Sequence, residues 1–430
     1  MKNILILGAG TGGTMVANKL AGELPAKQWQ ITIVDKDPRH FYQPGFLFIP
    51  FGIYTAKDVV KPKVNTLPKS VNYLVADINI IDAEAKTVSL SDGKLLSYDY
   101  LVIATGTRIA PEEIEGMKDG GNWHKNIFDF YTLEGAVALA SFLDSWKGGR
   151  LVVNVAEMPI KCPVAPLEFL YLADEFFTKK GIRDKVELVY ATPLEGAFTK
   201  PQARAVLGET LTRKGVHVEP DFSIMEVDND AQVIRSYDER EVAYDLLVTI
   251  PPNMGSEAII ESGLGNDLGF VPTDPNTLQS KEYENIFVIG DASNVPTSKA
   301  GSVVHFMLDT MVENLLRQIN GEKLEPSFDG HANCFIESGF GKAFLIDFNY
   351  ETEPLRGSYP LPAVGPFKLL QETRMNHLGK LGFKWAYWNM LLKARPMPVT
   401  NHMSMVGKLQ QSVEPKAAAG KASVVPSGAD

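Results

Sequence analysis

Residues 3–13 are Asn-Ile-Leu-Ile-Leu-Gly-Ala-Gly-Thr-Gly-Gly, an apolar run that ends in a cluster of glycines. A helix is predicted from about Thr14 to Leu24, and a second strand from Gln30 to Asp35. In this strand–loop–helix–strand order, glycines let the backbone approach a pyrophosphate at the helix N-terminus. An acid at the end of the second strand can accept a hydrogen bond from a ribose hydroxyl. The stretch therefore predicts a Rossmann-like α/β domain that binds a dinucleotide.

Two later segments carry signals that belong to the same domain. One strand-like run ends in Ala104-Thr105-Gly106, and a much later one, starting at Asn285, ends in Gly290-Asp291. These strand ends resemble those of flavoproteins with two dinucleotide-binding domains, in which both strands belong to the domain that holds FAD. The resemblance implies a discontinuous first domain, formed by residues 1–115 and 281–335.

The middle of the chain, residues 116–280, repeats this arrangement without its glycines. Strands are predicted at Arg150–Ala156 and Lys185–Tyr190, which indicates a degenerate internal repeat. The loop after the first of these strands is Glu157-Met-Pro-Ile-Lys-Cys-Pro163, which lacks the glycines that a close backbone approach to pyrophosphate needs. The second strand also ends without an acid, so we expect this Rossmann-like domain not to bind NAD(P)H.

The same loop carries Cys162, one of two cysteines in the chain; the other is Cys334. Lys161 precedes Cys162, and a helix is predicted from Val164 to Thr178. A thiol beside a lysine at a helix N-terminus has a lowered pKa and becomes nucleophilic. A buried, inert cysteine is the common alternative, but loops at the carboxyl ends of parallel strands open toward the ligand crevice. We therefore expect Cys162 to be functional.

Together, the glycine loop, Ala-Thr-Gly, Lys-Cys-Pro-Val-Ala-Pro at 161–166, Gly-Asp and a late cysteine resemble the sulfide:quinone oxidoreductase family over nearly all of residues 1–408. The resemblance implies FAD as cofactor, sulfide as electron donor and a membrane quinone as acceptor. It assigns Cys162 and Cys334 as the redox pair, with Cys334 nearer the flavin and Cys162 carrying sulfur. Many members have a third cysteine where this chain has Gly120–Asn126, so we expect FAD to be bound without a covalent link.

The motifs and the resemblance together predict a set of FAD-binding residues. Aromatic residues and a proline in Arg39–Phe51 are expected beside the flavin. The amides of the helix that begins near Lys299 are expected to stabilise the charge of reduced flavin. The full set is Gly8, Gly10, Thr11, Gly12, Gly13, Asp35, Lys36, Gln43, Pro44, Ile78, Thr105, Gly106, Gly290, Asp291, Lys299, Ala300 and Gly301. No metal site is expected.

Residues 336–408 are predicted to bind quinone and membrane. Between residues 366 and 408, seven basic residues accompany a single acid, Glu372, in a chain whose net charge is −10. The segment Leu381–Lys393 mixes aliphatic and cationic residues with Trp and Tyr, which suit the headgroup level of a bilayer. A helix packed in the core is the alternative. The predicted quinone-channel residues are Phe344, Phe348, Tyr359 and Phe383.

The composition of the 430-residue chain, 45% hydrophobic and 22% charged, is that of a globular protein with two or three domains. Its negative net charge argues against nucleic-acid binding. No apolar run reaches the length of a transmembrane helix, and the first apolar segment is too short for a signal peptide. We therefore expect a peripheral, monotopic protein of the cytoplasmic membrane, with its membrane face and any homo-oligomer left open. Within the C-terminal region we expect a strand pair in 335–350, a helix over 366–395 and a disordered tail over 409–430.

Three other functions are compatible with parts of this pattern. A type II NADH:quinone oxidoreductase shares the fold, FAD and the membrane tail, but it needs the second glycine loop. The flavoprotein subunit of a flavocytochrome c sulfide dehydrogenase shares the cysteine pair, but it passes electrons to haem and is exported. A flavin-bearing sulfide sensor would be reduced by sulfide without being reoxidised by quinone. The resemblance favours the sulfide:quinone oxidoreductase.

Overall fold

The computed structural model of the protein describes residues 1–361, 365–397 and 400–409. Its strands, numbered along the chain, form seven sheets within these ranges. The first sheet is parallel, because helices and longer connections return the chain to the same end before each strand. Its strands, in spatial order, are β20 (Ile286–Val288), β9 (Tyr100–Ile103), β1 (Lys2–Leu7), β2 (Trp29–Asp35) and β5 (Asn72–Val75). The late segment before Gly290 therefore lies beside β9.

The second parallel sheet has the same construction. Its strands, in spatial order, are β11 (Ile127–Phe128), β18 (Leu246–Ile250), β12 (Gly149–Val155), β13 (Val186–Ala191) and β14 (Val216–Glu219). In the first sheet, β1 lies between β2, the next strand in the chain, and β9, a later one. In the second sheet, β12 lies in the same way between β13 and β18. The predicted internal repeat is therefore confirmed by the strand order.

Small antiparallel sheets accompany the two parallel ones. Each Rossmann-like unit carries a three-stranded meander: β6 (Ile78–Asp82), β7 (Thr87–Leu90) and β8 (Leu95–Ser97) in the first, and β15 (Ile224–Asp228), β16 (Val233–Ser236) and β17 (Glu241–Ala243) in the second. Two further pairs are β3 (Arg39–Phe41) with β4 (Val60–Pro62), and β10 (Arg108–Ile109) with β19 (Asn253–Met254).

Seven α-helices lie within the described residues, and their ends follow from local sequence. They are α1 (Thr11–Glu23), α2 (Leu133–Ser145), α3 (Ala165–Lys180), α4 (Pro201–Arg213), α5 (Glu257–Glu261), α6 (Gly301–Asn320) and α7 (Arg374–Asn389). α3 and α6 both end at a glycine in the left-handed conformation, Gly181 and Gly321, which closes the last turn without a Cβ clash. The side chain of Thr373 accepts a hydrogen bond from Asn376 N–H and caps α7.

The C-terminal region forms a four-stranded sheet covered by α7. Its strands, in spatial order, are β21 (Ala332–Gly339), β22 (Lys342–Phe348), β24 (Phe367–Leu369) and β23 (Gly357–Tyr359). The predicted strand pair within 335–350 is confirmed, since β21 and β22 pair along their lengths. The predicted helix over 366–395 is wrong at its start, because Phe367–Leu369 joins the sheet and the Thr373 cap starts the helix later.

The predicted domain boundary between residues 335 and 336 falls inside β21. The predicted tail, 409–430, lies outside the described residues except for Leu409, whose backbone N–H donates to the Arg356 carbonyl at 2.8 Å. The largest buried cluster joins apolar residues of both parallel sheets with α3 and α6. This shared core is what brings the carboxyl end of β1 and the loop after β12 to one place.

Candidate active site

A cavity of about 620 Å³ lies at the carboxyl ends of β1, β2, β9 and β20. Residues of both Rossmann-like units and of the C-terminal region line it. The predicted cofactor residues on its wall are Gly8, Gly10, Thr11, Gly12, Asp35, Lys36, Gln43, Pro44, Thr105, Gly106, Gly290, Asp291, Lys299, Ala300 and Gly301. Two predicted residues lie elsewhere. Gly13 lies behind the loop in α1, and Ile78 lies in β6 of the antiparallel meander.

The glycine loop and the wall opposite it fit a dinucleotide. Gly10 has no heavy atom within 4 Å of the position that a Cβ would occupy, so the loop leaves open space there. The hydroxyl groups of Thr105 and Thr107 are buried in the cavity wall and have no hydrogen-bond partner within the described residues. Because buried hydroxyls normally have partners, these two mark positions that a bound dinucleotide would satisfy.

Asp35, the predicted ribose contact, is already held by protein groups. Its Oδ2 accepts from Ala9 N–H at 2.7 Å, and its Oδ1 accepts from Asp37 N–H at 3.0 Å. Oδ1 also lies 2.6 Å from Nζ of Lys63, a buried side chain on the cavity wall. Sequence reasoning missed Lys63, which comes from a loop between β4 and β5. The carboxylate therefore orders the glycine loop, and Lys63 balances its charge.

The loop that carries Cys162 leaves the second unit and pairs with the first. Lys161 forms a bridge with Lys299 just before α6, and Cys162 N–H donates to the Lys299 carbonyl at 2.7 Å. Cys162 has φ of 46°, in the left-handed region that non-glycine residues seldom adopt. Ile160 and Val164, on either side, are buried in the core. The thiol is thus carried into the cavity by a turn that is anchored at both ends.

Cys334 reaches the same cavity from β21. Its Sγ lies 3.9 Å from Oγ of Ser302, in the first turn of α6. Both cysteines are free thiols of intermediate burial, and the charge of Cys334 acts on the pKa of Cys162. The structure therefore brings together the two residues that were predicted to form the redox pair.

The prediction that Cys162 has a lowered pKa is wrong. Burial raises its pKa well above the usual value, and the negative charge of Glu168 adds to the rise. Burial also raises the pKa of Cys334, to about 11. Lys161 does not compensate, because its ammonium lies 3.5 Å from Oε1 of Gln43 rather than at the thiol. Adjacency in the sequence therefore did not place the charge beside the sulfur.

The cation that acts on both thiols is Lys380, on α7. Its Nζ donates to Oε1 of Glu168 at 2.7 Å and to the Phe335 carbonyl at 2.9 Å. Lys380 and Glu168 are buried and line the cavity. The positive charge lowers the pKa of Cys162 and of Cys334, against the larger effect of burial.

Sequence reasoning missed this ion pair, whose members are 212 positions apart. In the sequence, Lys380 was identified only as one of the cations of a basic segment. A signal for its partner was present: Glu168 is a single acid in the apolar run 167–172, Leu-Glu-Phe-Leu-Tyr-Leu. Charged residues are almost never fully buried without a partner, so an acid on the buried face of a helix predicts a cation from elsewhere.

Lys299 is tied to the loop that follows β20. Its Nζ donates to the carbonyls of Asp291 and Ser293, at 2.9 and 2.8 Å, and lies 4.0 Å above the ring of Phe270. Burial lowers the pKa of Lys299 to about 8, and burial raises the pKa of Asp291. The ammonium therefore sits beside the N-terminus of α6 and next to the Cys162 loop.

Only one of the four predicted quinone residues lines the cavity, and it is Phe383. Phe344 and Phe348 are buried in β22, and Tyr359 lies in β23. No residue of β22 lines the cavity, so the aromatic side chains of this strand pack in the core instead. Phe335 and Tyr387, which were not predicted as quinone residues, also line the cavity, so three aromatic side chains of the C-terminal region lie on its wall.

The helix predicted to lie at a membrane interface is partly a core helix. Tyr387 and Trp388 are buried, so the placement of these rings at headgroup level is wrong. Tyr387 OH lies 2.8 Å from Oγ1 of Thr11 and 2.7 Å from Nε2 of His40. Trp385 is 65% exposed. Among the described residues, every helix is too short or too polar to cross a bilayer.

Comparison with known proteins shows where this arrangement recurs. Residues 2–153 match the pyridine nucleotide-disulphide oxidoreductase family. The type II NADH:quinone oxidoreductase of Staphylococcus aureus is 26% identical over 375 residues, which cover 80% of this chain and 90% of that relative. The solved structure of the sulfide:quinone oxidoreductase from Aquifex aeolicus superposes with a TM-score of 0.75 at 20% identity, and the match covers 90% of this chain and 92% of that chain.

The mitochondrial sulfide:quinone oxidoreductase of Dictyostelium discoideum is 30% identical over 400 residues. That match covers 91% of this chain and 86% of the relative. On this similarity over almost the whole length, the chain belongs to the sulfide:quinone oxidoreductase family.

Proposed function

We propose that this chain oxidises sulfide at Cys162 and Cys334 and delivers the electrons, through FAD, to a membrane quinone. The observation that carries the proposal is that both thiols lie on the wall of the cavity that Gly8 and Gly10 also line. A thiol pair beside a dinucleotide site allows sulfur chemistry and electron removal to occur in one enclosed space.

FAD is the cofactor that the family implies, and the residues present fit it. The loop from Gly8 to Gly10 and the N-terminus of α1 would hold the pyrophosphate, and the orphaned hydroxyls of Thr105 and Thr107 would gain partners. The chain has no cysteine besides the redox pair, so no thioether link to FAD is available from a third thiol. When bound, FAD accepts two electrons from the sulfur chemistry and passes them to the quinone.

The sulfur step starts from an oxidised pair, with a disulfide between Cys162 and Cys334. HS⁻ attacks the sulfur of Cys162; the disulfide bond breaks, a new S–S bond joins the sulfide sulfur to Cys162, and Cys334 leaves as a thiolate. Loss of the remaining proton makes the persulfide an anion. A bond between its terminal sulfur and the Cys334 thiolate then forms a trisulfide, and the two electrons lost in this oxidation would be accepted by bound FAD.

Lys380 makes this step possible in a buried site. Burial alone would oppose a thiolate on Cys334, because a charge in a low-dielectric environment is costly. Lys380 is held beside Cys334 by its hydrogen bonds to Glu168 and to the Phe335 carbonyl, and its charge lowers the pKa of Cys334. Lys380 thereby stabilises the leaving thiolate.

The quinone side of the proposal rests on α7. Met375, Leu378 and Trp385 are exposed apolar residues at helical spacing, and Arg374 beside them is exposed. An apolar face with flanking cations suits shallow insertion into a lipid surface. On the other side of the same helix, Phe383 lines the cavity, as Phe335 does from β21. We propose these two rings as the walls of the quinone site.

The test follows the flavin absorbance of the purified, FAD-loaded protein without oxygen. Sulfide is expected to bleach the flavin, and a soluble short-chain quinone is expected to restore it; NADH is expected to leave it unchanged. Bleaching by NADH but not by sulfide would replace the proposal with an NADH:quinone oxidoreductase. Bleaching by sulfide without recovery in quinone would show that the protein acts as a sulfide sensor and not as a quinone reductase.

A further inference from the structure

Glu337 is a buried carboxyl group that the sulfur chemistry above does not use. It lies on β21, on the same strand as Cys334, and its side chain is 1% exposed. Its backbone N–H donates to Oε1 of Glu168 at 2.7 Å, the same oxygen that accepts from Lys380. Glu168 and Lys380 line the cavity, whereas Glu337 does not. Glu337 is therefore an acidic group directly behind the cavity wall.

His377, on α7, connects Glu337 to the surface. Its Nδ1 lies 2.8 and 3.0 Å from the two carboxyl oxygens of Glu337, and its side chain is 26% exposed. On the cavity side, Oε2 of Glu168 is buried and has no hydrogen-bond partner within the described residues. Glu337 thus lies between His377, which its carboxyl group contacts, and Glu168 on the cavity wall, which its backbone N–H contacts.

The charges around Glu337 suit the transfer of a proton. Burial raises the pKa of Glu337 to about 8, with Lys380 opposing the rise and Glu168 and Glu175 adding to it. Tyr54 is the other titratable group that faces this carboxyl group. Near neutral pH the carboxyl group therefore holds a proton that it can donate. Burial lowers the pKa of His377, and Glu175 opposes that effect, so the neutral form of the imidazole is favoured.

The proposed reaction needs such a proton. With HS⁻ as donor, the balance is HS⁻ + Q + H⁺ → S⁰ + QH₂, so sulfide supplies two electrons and one proton, and the quinone takes two of each. One proton per turnover must come from solvent. We propose that His377 and Glu337 form the path by which this proton enters the cavity, a role that rests on the quinone reduction proposed above.

The experiment separates the two halves of the reaction. FAD-loaded wild type and the variants Glu337→Gln and His377→Gln are reduced photochemically without sulfide, then mixed with a soluble short-chain quinone between pH 6 and 9. Flavin reoxidation is expected to slow about tenfold or more in both variants, as for removal of a positioned acid or base. Imidazole added to His377→Gln is expected to restore part of the rate. The control is His217→Gln, since His217 is 62% exposed, lies on β14 and pairs with Glu219.

The pH profile distinguishes a proton path from a structural role. In the wild type, the reoxidation rate is expected to fall as pH rises through about 8, because Glu337 loses its proton there. In Glu337→Gln the rate is expected to be low at every pH and to lose this step. An infrared band of a protonated carboxyl group that titrates in the wild type and is missing from Glu337→Gln checks the assignment without turnover.

Wild-type reoxidation rates and pH profiles in both variants would overturn the proton path. If Glu337→Gln does not fold or does not retain FAD, His377→Gln with imidazole rescue decides alone, because His377 is partly exposed. Failure of the wild type to be bleached by sulfide would instead sink the sulfide half of the proposed function. The photochemical reduction keeps the two failures apart.

Discussion

The two Rossmann-like units have the same strand order, yet their first loops do different work. In the first unit, β1 leads into Gly8-Ala9-Gly10 and then directly into α1, which begins with Thr11-Gly12-Gly13. In the second, β12 leads into residues 156–164, which carry Cys162, before α3 begins. The sheets behind the loops match, so a fold built by buried strands permits either a phosphate loop or a thiol loop at its carboxyl edge.

The two loops differ in how closely the backbone of the following segment can pack against the end of the strand. In α1, a Cβ on Gly13 would lie 1.8 Å from the Gly8 carbonyl oxygen, so the helix packs as closely as glycine allows. In the second unit, Asn154 occupies the end of the strand and is fully buried. Its side chain donates to the Ala191 carbonyl and accepts from Thr249. The site beside β12 is thus occupied by the protein's own polar contacts, and its loop extends to the other unit.

Among the changes that test this comparison, replacement of a redox cysteine is expected to have the largest effect on the rate of flavin bleaching. Cys162→Ser or Cys334→Ser should slow sulfide-dependent flavin bleaching by more than about a thousandfold, because the attacked bond can no longer form. FAD content and quinone-dependent reoxidation after photochemical reduction should remain. A variant with near-normal bleaching in stopped-flow absorbance would show that the thiol loop is not where sulfide reacts.

The glycine loop is tested by Gly13→Ala, which is expected to lose most of the bound FAD. The added Cβ would meet the Gly8 carbonyl at 1.8 Å, and overpacking of this kind costs about 1–3 kcal/mol. The measurement is the ratio of flavin to protein after purification. Gly22→Ala is the matched control on the same helix, because nothing lies within 4 Å of its Cβ position. Full FAD retention in Gly13→Ala would show that the two loops differ less than their packing indicates.

Lys380→Met tests whether the cation from α7, rather than Lys161 of the thiol loop, lowers the pKa of a redox thiol, here Cys334 on β21. Removing the charge is expected to raise the pKa of Cys334 further above about 11. Since alkylation follows the thiolate, the rate of Cys334 alkylation at pH 9 in Cys162→Ser should fall about tenfold. Lys393→Met, at an exposed position, is the control. An unchanged rate would show that some other group lowers the pKa of the thiol.

The smallest effect is expected at Asn154, the second-last residue of β12. Asn154→Ala removes the hydrogen bonds to Ala191 and Thr249 and should lower the free energy of unfolding by about 1–3 kcal/mol. FAD content should not change, because Asn154 does not line the cavity. Chemical denaturation measures the loss, with Asn72→Ala on an exposed strand position as control. A loss of FAD from Asn154→Ala would contradict the assignment of separate roles to the two loops.

The sequence predicted those parts of the molecule whose signals are local. The strand and glycine loop of residues 3–13, the repeat around β12 and the strand pair of β21 and β22 are patterns within short windows, and all are present in the structure. The predictions about the state and surroundings of single side chains were less reliable. A lowered pKa was predicted for Cys162 from its neighbour Lys161, and a position at headgroup level was predicted for Tyr387 from its place in an amphipathic segment. Both predictions were wrong.

By itself, then, the sequence determined two nucleotide-binding-like folds, the loss of the second glycine loop and the two thiols, because glycine spacing and apolar periodicity act within a few residues. Only the tertiary structure decided which charges surround the thiols. The pairing of Lys380 with Glu168, the contact of Glu337 with His377 and the approach of Cys162 to Lys299 join segments far apart in the chain. Such contacts depend on how α3, α7 and β21 pack together, and burial of the resulting charges, rather than their order in the chain, sets the chemistry of the site.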